Sequence, residues 1–471
     1  MIRTFINRKE ELSFLERKYK EGNFQFIVLY GRRRTGKTEL ISHFLKDKDS
    51  IYYLADKRGT LINAKLFAKE AAKKYDDIEP AVDNFDLTFE YILKRAGNKK
   101  IIVAIDEFSY LLEKDDSLAS VFQKISDMLL KNSNVFLILC GSSISMMEKG
   151  VLSYKSPLYG RRTGHWKLVP LHFIESVKFF PKYSIEDQIK TYLILGGIPA
   201  YMKEFNAEKG LYENIKDKIL TKGEMLYDEV KVILQEELRE PSTYLKILDN
   251  MAKGSTKIVD IANKSYLDAK DIPKYLNILQ KLEYVKRINP ITEKKPKSKK
   301  TLYKISDNFF QFWLNFIEPN RSELELNKRD VILEQIKKES DMLFGRSFEK
   351  LCAELMLELP LPITPSKIGT WWGRGKALST ENLAREEIEI DIVAIDEHRN
   401  EILSVECKWS NLSEKEARQI IIDLKEKTKF IELKRKKDHL GIFAKNVQGK
   451  ENLKKEGIIV FDLDDIKKIK A

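Results

Sequence analysis

Residues 31–38 read GRRRTGKT and fit the pattern GxxxxGK(S/T), which binds nucleotide phosphates when it follows a strand and opens a helix. The apolar run from Phe26 to Tyr30 precedes the motif and a helical pattern follows it. In such a loop, glycines let backbone N–H groups wrap a phosphate, Lys37 brings a positive charge and Thr38 offers a hydroxyl to Mg²⁺. The alternative is a chance glycine-rich turn. The predicted nucleotide ligands are Gly31, Arg32, Arg33, Arg34, Thr35, Gly36, Lys37 and Thr38.

A pair of acidic residues ends another apolar run, IIVAIDE at residues 101–107. An apolar run of this kind predicts a strand that is buried on both faces. We expect Asp106 to hold the nucleotide-bound Mg²⁺ through water and Glu107 to polarise the attacking water, which indicates hydrolysis as well as binding. A surface turn could also contain Asp-Glu. After the next apolar run, Ser142 stands where a small polar side chain would sense a γ-phosphate.

Three arginines are candidates for the same site. Arg161 and Arg162, in SPLYGRRTG, could reach the γ-phosphate as an arginine finger, in the same chain or from a neighbouring subunit, which leaves a homo-oligomer open. The alternative is a pair of solvated surface arginines. Residues 7–10 predict a capping box, with Asn7 at the cap and Glu10 reaching back, and Arg8 within it is a candidate for binding the nucleotide base.

A second group of charged residues lies towards the C-terminus. Asp391 and Glu406 lie on successive apolar strands that would form a hairpin, so two carboxylates would meet as ligands for Mg²⁺ or Mn²⁺. Lys408 would share a strand face with Glu406, because side chains alternate, and its ammonium could orient water or offset transition-state charge. Glu349, on a helix predicted over Phe348 to Leu359, would complete this metal site. The alternative is an ordinary charged strand face.

Short apolar runs alternate with helical patterns over the first 170 residues and predict a parallel sheet that positions the first site. Leu61 to Tyr75 and Ser117 to Lys131 are long enough to be crossover helices. Apolar runs near the C-terminus predict another α/β domain. The predicted strands are Phe26 to Tyr30, Ile51 to Leu54, Ile101 to Ile105, Val135 to Cys140, Trp166 to Leu171, Ile388 to Ile395, Ile402 to Val405 and Ile442 to Ala444.

The middle of the chain has a mainly helical pattern, and residues 175–238 predict a helical lid. Three predicted helices and a β-hairpin around the loop ITEKKPKSKK follow, which is the order of elements in a winged helix. Six lysines between Pro290 and Lys304 suit contacts with DNA phosphates, although a solvated hairpin or a protein-interaction module would have the same composition. The predicted helices are Tyr244 to Ala252, Lys257 to Asn263 and Ala269 to Leu282, with Thr256 and Asp268 as helix starts.

Composition limits the classes of protein that the chain can belong to. Its 471 residues are enough for about three domains, and 43% hydrophobic with 33% charged residues excludes wholesale disorder. No apolar run is long enough to span a membrane, and charges near the N-terminus argue against a signal peptide, so we expect a cytoplasmic protein without a membrane partner. The net charge of +12 favours polyanionic partners, although a lysine-rich proteome would produce it too.

Six segments carry a resemblance to a known family. In order and spacing, the sequence resembles the predominantly archaeal ATPase family within the STAND branch of AAA+-related P-loop NTPases. The resemblance implies that Pro199, in Gly197-Ile198-Pro199, packs near the nucleotide base. A helix-breaking turn is the alternative for this tripeptide. The segments are FINRKEEL, GRRRTGKT, IIVAIDEF, LILCGSS, SPLYGRRTG and LGGIPAYM.

The resemblance also implies a C-terminal domain of unknown function that is similar to PD-(D/E)xK nucleases. Ile390 stands where that motif has proline, a departure that weakens the match without removing the Asp391 carboxylate. The resemblance implies four domains: a P-loop ATPase at 1–172, a helical lid at 173–240, a winged helix at 241–320 and a restriction-endonuclease-like α/β domain at 321–471. The matching segments are Gly345 to Glu349, Trp371 to Gly373, Glu389 to Asp391 and Glu406 to Trp409.

Together these features predict an α/β multidomain, ATP-binding and ATP-hydrolysing switch with Mg²⁺ as cofactor and DNA as partner. Its output would be the engagement or cleavage of DNA by the C-terminal domain. A nucleotide-regulated DNA-binding or scaffold protein with an inactive nuclease-like domain is the first alternative. A chaperone-like ATPase that acts on proteins is the second.

Overall fold

The computed structural model describes residues 5–295, 298–376 and 385–469. Its contacts divide the chain into two compact units. The first unit comprises the chain up to Leu171 together with Ile198–Ala200, and the second comprises the remainder. Within the described ranges, no helix combines the length and the apolar character needed to cross a membrane. The predicted boundaries at 240 and 320 fall inside the second unit and stay predictions.

A five-stranded parallel sheet forms the centre of the first unit, with strand order β2-β3-β4-β1-β5. Consecutive residues of its β1 strand enter two different cores: Phe26, Val28 and Tyr30 pack on one face of the sheet, whereas Ile27 and Leu29 pack on the other. Burial on both faces explains why the strands are continuously apolar, as predicted. The strands are β1 (Gln25–Tyr30), β2 (Ser50–Leu54), β3 (Ile101–Asp106), β4 (Val135–Gly141) and β5 (Gly164–Lys167).

Helices connect these strands, and two local predictions were wrong. The helix predicted over 117–131 is present over 118–130, with its second half, Ile125–Leu130, in π-helical form. Strand β5 ends at Lys167, not at Leu171. The first helix has no capping box, because Arg8 is at its N-cap and no side chain caps it. The helices are α1 (Lys9–Lys20), α2 (Lys37–Leu45), α3 (Thr60–Lys74), α4 (Phe85–Ala96), α5 (Phe108–Lys114), α6 (Leu118–Lys124) and α7 (Ile144–Met147), with another π-helical segment at Glu148–Leu152.

The second unit begins with the helices of the predicted lid. Gly196 ends α9 with a positive φ of 63°, and Pro199 begins α10, so the Gly-Gly-Ile-Pro sequence separates these two helices. The helices are α8 (Phe173–Ser176), α9 (Ile185–Leu195), α10 (Pro199–Glu204, whose first two residues belong to the first unit), α11 (Leu211–Asn214) and α12 (Met225–Glu237), with a 3-10 turn at Val177–Phe179 and a π-helical segment at Ile215–Ile219.

Three helices and an antiparallel hairpin follow, in the order that the sequence predicts. The predicted helix starts were wrong by one and three residues, because the N-cap residues are Lys257 and Asp271, not Thr256 and Asp268. The first of these helices begins with Pro241 at position N1. A backbone N–H at N1 has no acceptor within the helix, so proline is tolerated there. The elements are α13 (Pro241–Ala252), α14 (Ile258–Ser265), α15 (Ile272–Lys281), β6 (Val285–Ile288) and β7 (Leu302–Ile305).

Two further helices and a long one lead into the C-terminal sheet. The aromatic residues at 309–316 lie on the first helix, α16, and are buried, as their helical spacing predicts. The charged residues 321–338 form a short helix and the first part of a 27-residue helix. Glu349 therefore lies inside a long helix and not at the start of a short one. The helices are α16 (Asn308–Phe316), α17 (Arg321–Glu325) and α18 (Arg329–Leu355).

A second five-stranded sheet forms the C-terminal α/β region, with strand order β12-β11-β10-β9-β8. Strands β8, β9 and β10 pair antiparallel, whereas β10, β11 and β12 pair parallel. Helix α19 begins with a capping box in which Ser413 and Glu416 bond each other's backbone N–H. The elements are β8 (Lys367–Lys376), β9 (Arg385–Asp396), β10 (Glu401–Leu412), α19 (Glu414–Thr428), β11 (Lys437–Val447), α20 (Lys450–Lys455), β12 (Ile459–Phe461) and α21 (Leu463–Ile469).

Candidate functional site

Two glycines shape the predicted phosphate-binding loop between β1 and α2. Gly31 has a φ of 149°, and a Cβ atom on it would lie 2.2 Å from the Leu168 carbonyl oxygen, so no other residue fits without movement. Gly36, at the N-cap of α2, has a φ of 89°. The loop therefore leads directly into the N-terminus of α2. Backbone N–H groups and the helix dipole favour the binding of an anion there.

Lys37 is buried within this loop. Its ammonium donates to the carbonyl oxygens of Gly31 at 2.9 Å and Arg32 at 2.7 Å, and the Thr35 hydroxyl donates to the Arg32 carbonyl at 2.8 Å. Burial lowers the pKa of Lys37, although Cys140, Glu107 and Asp106 act in the opposite direction. The ammonium lies among partners that phosphate oxygens can replace.

Asp106 and Thr38 meet at the carboxyl edge of the sheet. The Thr38 hydroxyl donates to Asp106 Oδ2 at 2.7 Å, and the Tyr52 hydroxyl donates to the same oxygen at 3.0 Å. Asp106 is almost fully buried. A hydroxyl beside a carboxylate fits Mg²⁺ well, since this ion is commonly bound by one or two carboxylates together with substrate phosphates and water. The side chains predicted to hold Mg²⁺ with nucleotide therefore lie together.

Glu107 follows Asp106 and is held by serines. It has a left-handed φ of 52° at the N-cap of α5, and its Oε2 accepts from the Ser142 hydroxyl at 2.7 Å and the Ser142 N–H at 3.3 Å. The Ser109 hydroxyl also approaches this oxygen, at 3.4 Å. Ser142 therefore contacts Glu107 in this structure, where the sequence predicted a contact of Ser142 with a γ-phosphate.

Arg8 and Pro199 both lie beside the loop. Arg8 is buried, and its guanidinium donates to the carbonyl oxygens of Thr35 at 2.8 Å and Val169 at 2.9 Å while it pairs with Glu11 at 2.9 Å. Pro199 lies close to Gly36, since a Cβ atom on Gly36 would be 3.9 Å from the Pro199 ring. Both predicted base-binding residues are thus near the nucleotide loop, and Arg8 supports the loop backbone.

The remaining arginines differ in their surroundings. Arg33 donates to the Tyr110 hydroxyl at 3.1 Å. Arg161 forms a two-contact ion pair with Asp127, at 3.1 and 3.3 Å, and Arg162 donates to the Leu152 carbonyl at 3.2 Å. The two candidate finger arginines are therefore held by partners outside the phosphate-binding loop. Arg32 is buried, and Arg34 adopts a left-handed φ of 69°.

The C-terminal carboxylates meet where two strands separate. Strands β9 and β10 form the predicted antiparallel hairpin, and their ladder ends at the pair Val405–Ile392. Asp391 and Glu406 come next on either strand. Asp391 Oδ2 accepts from the Cys407 N–H at 2.8 Å, so one carboxylate closes the end of the ladder.

Each carboxylate oxygen of Glu406 accepts a hydrogen bond from a lysine. Lys408 donates to Oε2 at 3.0 Å, and Lys427 from α19 donates to Oε1 at 2.8 Å. Burial raises the pKa of Glu406, but Lys408 and Lys427 outweigh it and the pKa is lowered. For Lys408, Glu406 and Asp391 outweigh burial and raise the pKa. The predicted Glu-x-Lys pair is thus formed, with a second lysine added.

The other two carboxyl groups are desolvated. Burial raises the pKa of Glu349 to about 8, with Asp391 adding to the effect, and burial with Glu406 raises the pKa of Asp391 to about 6. Among the residues that the structure describes, no three His, Cys, Asp or Glu side chains are grouped closely enough to hold a metal ion. Glu349, Asp391 and Glu406 therefore do not form the predicted three-carboxylate metal site in this structure.

Comparison with known proteins agrees with the first site. Residues 5–205 match a family described as an ATPase domain predominantly from Archaea, and residues 313–420 match a family described as archaeal and bacterial proteins of unknown function. An uncharacterized protein of Methanocaldococcus jannaschii is 37% identical over 465 residues, which cover 98% of this chain and 99% of that protein. The chain belongs to this archaeal ATPase family.

Two further similarities are more limited. An uncharacterized ATP-binding protein of the same organism is 64% identical over 44 residues, 9% of this chain and 75% of that protein. The solved structure of a Walker-type ATPase of Pyrococcus abyssi aligns with 66% of this chain and 96% of its own at 22% identity, with a TM-score of 0.48. The family assignment rests on the family models and the full-length relative.

Two side chains of this archaeal ATPase were missed in the sequence. Tyr52 donates to Asp106 because β2 lies next to β3. A local sequence motif does not indicate which strands are neighbours in a sheet. Lys427 reaches Glu406 from the end of α19. The only available signal was the basic last turn of that helix, which is common in helices whatever their function.

Proposed function

We propose that this protein hydrolyses ATP at its phosphate-binding loop and uses the nucleotide state as a switch. The observation that carries the proposal is the meeting of Thr38, Asp106 and Glu107 at the carboxyl edge of the first sheet. A hydroxyl and a carboxylate for Mg²⁺ stand next to a second carboxylate for water, which is the set that nucleotide hydrolysis needs.

Each residue has one role in this reaction. Lys37 exchanges its two carbonyl partners for phosphate oxygens and neutralises their charge. Thr38 and Asp106 would hold Mg²⁺, which would supply positive charge to offset that of the phosphates. Glu107 orients the attacking water and accepts its proton, and Ser142 fixes the Glu107 carboxylate through its hydroxyl and N–H. In-line attack of water on the γ-phosphate then gives ADP and phosphate.

The test is ATP binding and phosphate release by the full-length protein with Mg²⁺. Lys37→Ala should lose both, because the buried ammonium that neutralises the phosphates is gone. Lys46→Ala is the control, since Lys46 is exposed just after the same helix. Phosphate release that survives in Lys37→Ala would contradict the assignment of the site.

We further propose that the second unit engages DNA. Support comes from the lysine-rich hairpin and from Lys408 and Lys427, which both bond the buried Glu406 carboxylate. Asp391, Glu406 and Lys408 are the candidate cleavage residues. The alternative is a scaffold that binds DNA without cutting it, and the two lysines already bonded to Glu406 favour that alternative for the state seen here.

Cleavage and scaffold functions are separated by following supercoiled plasmid with Mg²⁺ or Mn²⁺ and ATP. A nuclease should nick the plasmid, and Lys408→Ala should abolish nicking while phosphate release persists. Lys437→Ala, an exposed lysine of β11, is the control. Slower migration of the plasmid in a gel-shift assay, without nicking, would support the scaffold function. No binding even at low salt would contradict both and favour an ATPase that acts on proteins.

A further inference from the structure

The hairpin of β6 and β7 is fixed to the C-terminal sheet. In its connecting loop, the Ile291 N–H donates to the Thr370 carbonyl at 3.0 Å, and the Trp372 indole of β8 donates to the Lys300 carbonyl at 3.2 Å. Ile291 also packs against the hydrophobic core of the C-terminal sheet. The hairpin therefore does not project freely into solvent but lies along the sheet that carries Asp391.

Two lysines stand directly opposite each other on this hairpin. Lys286 of β6 pairs in register with Lys304 of β7, and like charges directly opposite in an antiparallel pair are destabilising. The Lys304 ammonium is 3.8 Å from Glu389 Oε1, and Glu389 precedes Asp391 by two residues on the same face of β9. The lysine pair thus lies next to the carboxylates of the C-terminal site.

A third cation, Lys350, lies near Lys286 and Lys304. Lys350 of α18 donates to the Ser306 carbonyl, at 2.7 Å, just after β7 ends. Lys286 is exposed as a residue, yet burial of its ammonium, with Lys350 and Lys304 adding repulsion, lowers its pKa to about 8. Glu349 acts in the opposite direction but does not outweigh them. Three lysines therefore gather where the hairpin meets the C-terminal site, and a polyanion would relieve the repulsion among them.

We propose that Lys286 and Lys304 form a phosphate clamp for duplex DNA, which places the DNA backbone beside Asp391, Glu406 and Lys408. This inference rests on the proposed DNA engagement by the second unit and names the residues that perform it. A DNA strand carries a negative charge on every nucleotide, so one strand can satisfy both lysines and continue towards Lys408. Lys286 and Lys304 are positioning residues, whereas the lysines of the hairpin loop are not part of the clamp.

The experiment compares two double variants of the full-length protein. Lys286→Gln with Lys304→Gln removes the clamp, and Lys294→Gln with Lys295→Gln removes the same charge from the exposed loop of the same hairpin. Binding of a fluorescent 30-base-pair duplex, a length of about three helical turns, is measured across salt concentrations. Thermal unfolding is measured for both variants and for Lys286→Gln alone.

The clamp variant should bind the duplex at least about tenfold more weakly, and the slope of log affinity against log salt should fall by about 2, since each lost phosphate contact removes about 0.9. Lys286→Gln should unfold no earlier than the wild type, because it removes a like-charge pair. Equal loss in the two double variants, or no loss in the clamp variant, would overturn the clamp while DNA binding by the wild type stands. If the wild type binds no duplex at low salt, the proposed DNA engagement fails first and the clamp fails with it.

Discussion

Glu107 adopts a backbone conformation that is uncommon for a residue with a side chain. Its φ of 52° is left-handed, and it occurs where β3 ends and α5 begins. Residues held in such regions cost free energy and persist where the surroundings fix them. Here the fixing contacts are those of Ser142 and Ser109 with the carboxylate. The strained backbone aims Glu107 at the edge of the sheet where Thr38 meets Asp106.

Replacing the Glu107 carboxylate tests its role as a base. Glu107→Gln keeps the size of the side chain but removes the proton acceptor, so kcat for phosphate release should fall by about 10²- to 10⁴-fold. ATP affinity should be unchanged in a binding titration. Glu113→Gln, an exposed glutamate of the same helix, should behave as the wild type. A fall in ATP affinity that accounts for the whole loss would assign Glu107 to binding instead.

The backbone of the loop gives a second prediction. In Gly31→Ala the new Cβ atom meets the Leu168 carbonyl 2.2 Å away, so the loop or β5 must shift. We expect destabilisation of about 1–3 kcal/mol, typical of overpacking, together with loss of ATP binding. Thermal unfolding and nucleotide titration measure the two effects. Gly22→Ala is the matched control, since a Cβ atom there meets nothing within 4 Å, and equal effects in both variants would contradict the steric explanation.

Single residues were predictable where a local motif identifies them. The phosphate-binding loop and the Asp106–Glu107 pair lie within short, strongly patterned segments, and the structure brings them together as expected. Tyr52 and Lys427 could not be found in this way. Their contacts depend on which strands are neighbours and on where a helix ends, and both are properties of tertiary structure.

At the scale of elements, helix α18 joins parts of the second unit that are distant in sequence. Its Glu354 accepts from the Phe173 N–H at 2.6 Å and from the Tyr192 hydroxyl at 2.9 Å, and lies 3.5 Å from His172 Nδ1. One carboxylate therefore caps the start of α8 and bonds α9. Burial raises the pKa of Glu354, but His172 and these donors outweigh it and the pKa is lowered.

Removing this carboxylate should destabilise the second unit. Glu354→Ala leaves the buried Tyr192 hydroxyl without its acceptor, so unfolding free energy should fall by about 1–3 kcal/mol. Chemical denaturation measures the change. Glu358→Ala is the control, because Glu358 lies four residues further along and is exposed. A loss of similar size in both variants would show that the contacts of Glu354 are not the cause.

The same contacts predict a dependence on pH. Bonding to Glu354 raises the pKa of His172, so this contribution is complete below the ordinary histidine value of 6.5 and is lost as pH rises through the raised pKa. The lowered pKa of Glu354 gives a contribution that is complete above 4.5 and is lost as pH falls. The difference in unfolding temperature between wild type and Glu354→Ala should be largest between pH 4.5 and 6.5. A difference that stays constant from pH 4 to 9 would contradict this account of the pair.

Helix α18 also shows where pattern recognition from the sequence stops. Charged side chains dominate residues 321–338, which include its N-terminal part. Ile332, Ile336 and Leu343 are nevertheless buried and spaced along one helical face. That periodic signal was present, but the charged residues between them concealed it. The docking of the basic hairpin on β8 had no comparable signal, because it depends on contacts between segments about 70 residues apart.

At the scale of the whole molecule, the two units carry different chemistry. The first holds the nucleotide loop, and the second holds the basic hairpin and the Asp391–Glu406–Lys408 group. A switch requires that the nucleotide bound by one unit changes the affinity of the other for its ligand. Such coupling is reciprocal, so DNA would change ATP affinity by the same factor.

A switch of this kind requires coupling between the two units, and the DNA affinity of the Glu107→Gln protein tests that coupling most directly. In this variant ATP stays intact, so the ATP-bound and ADP-bound states can each be held with Mg²⁺ while a labelled duplex is titrated. We predict dissociation constants that differ between the two states by about 5- to 150-fold, the usual range of coupling between sites. Equal dissociation constants with ATP and with ADP would contradict an ATP-controlled switch, even if both ligands bind.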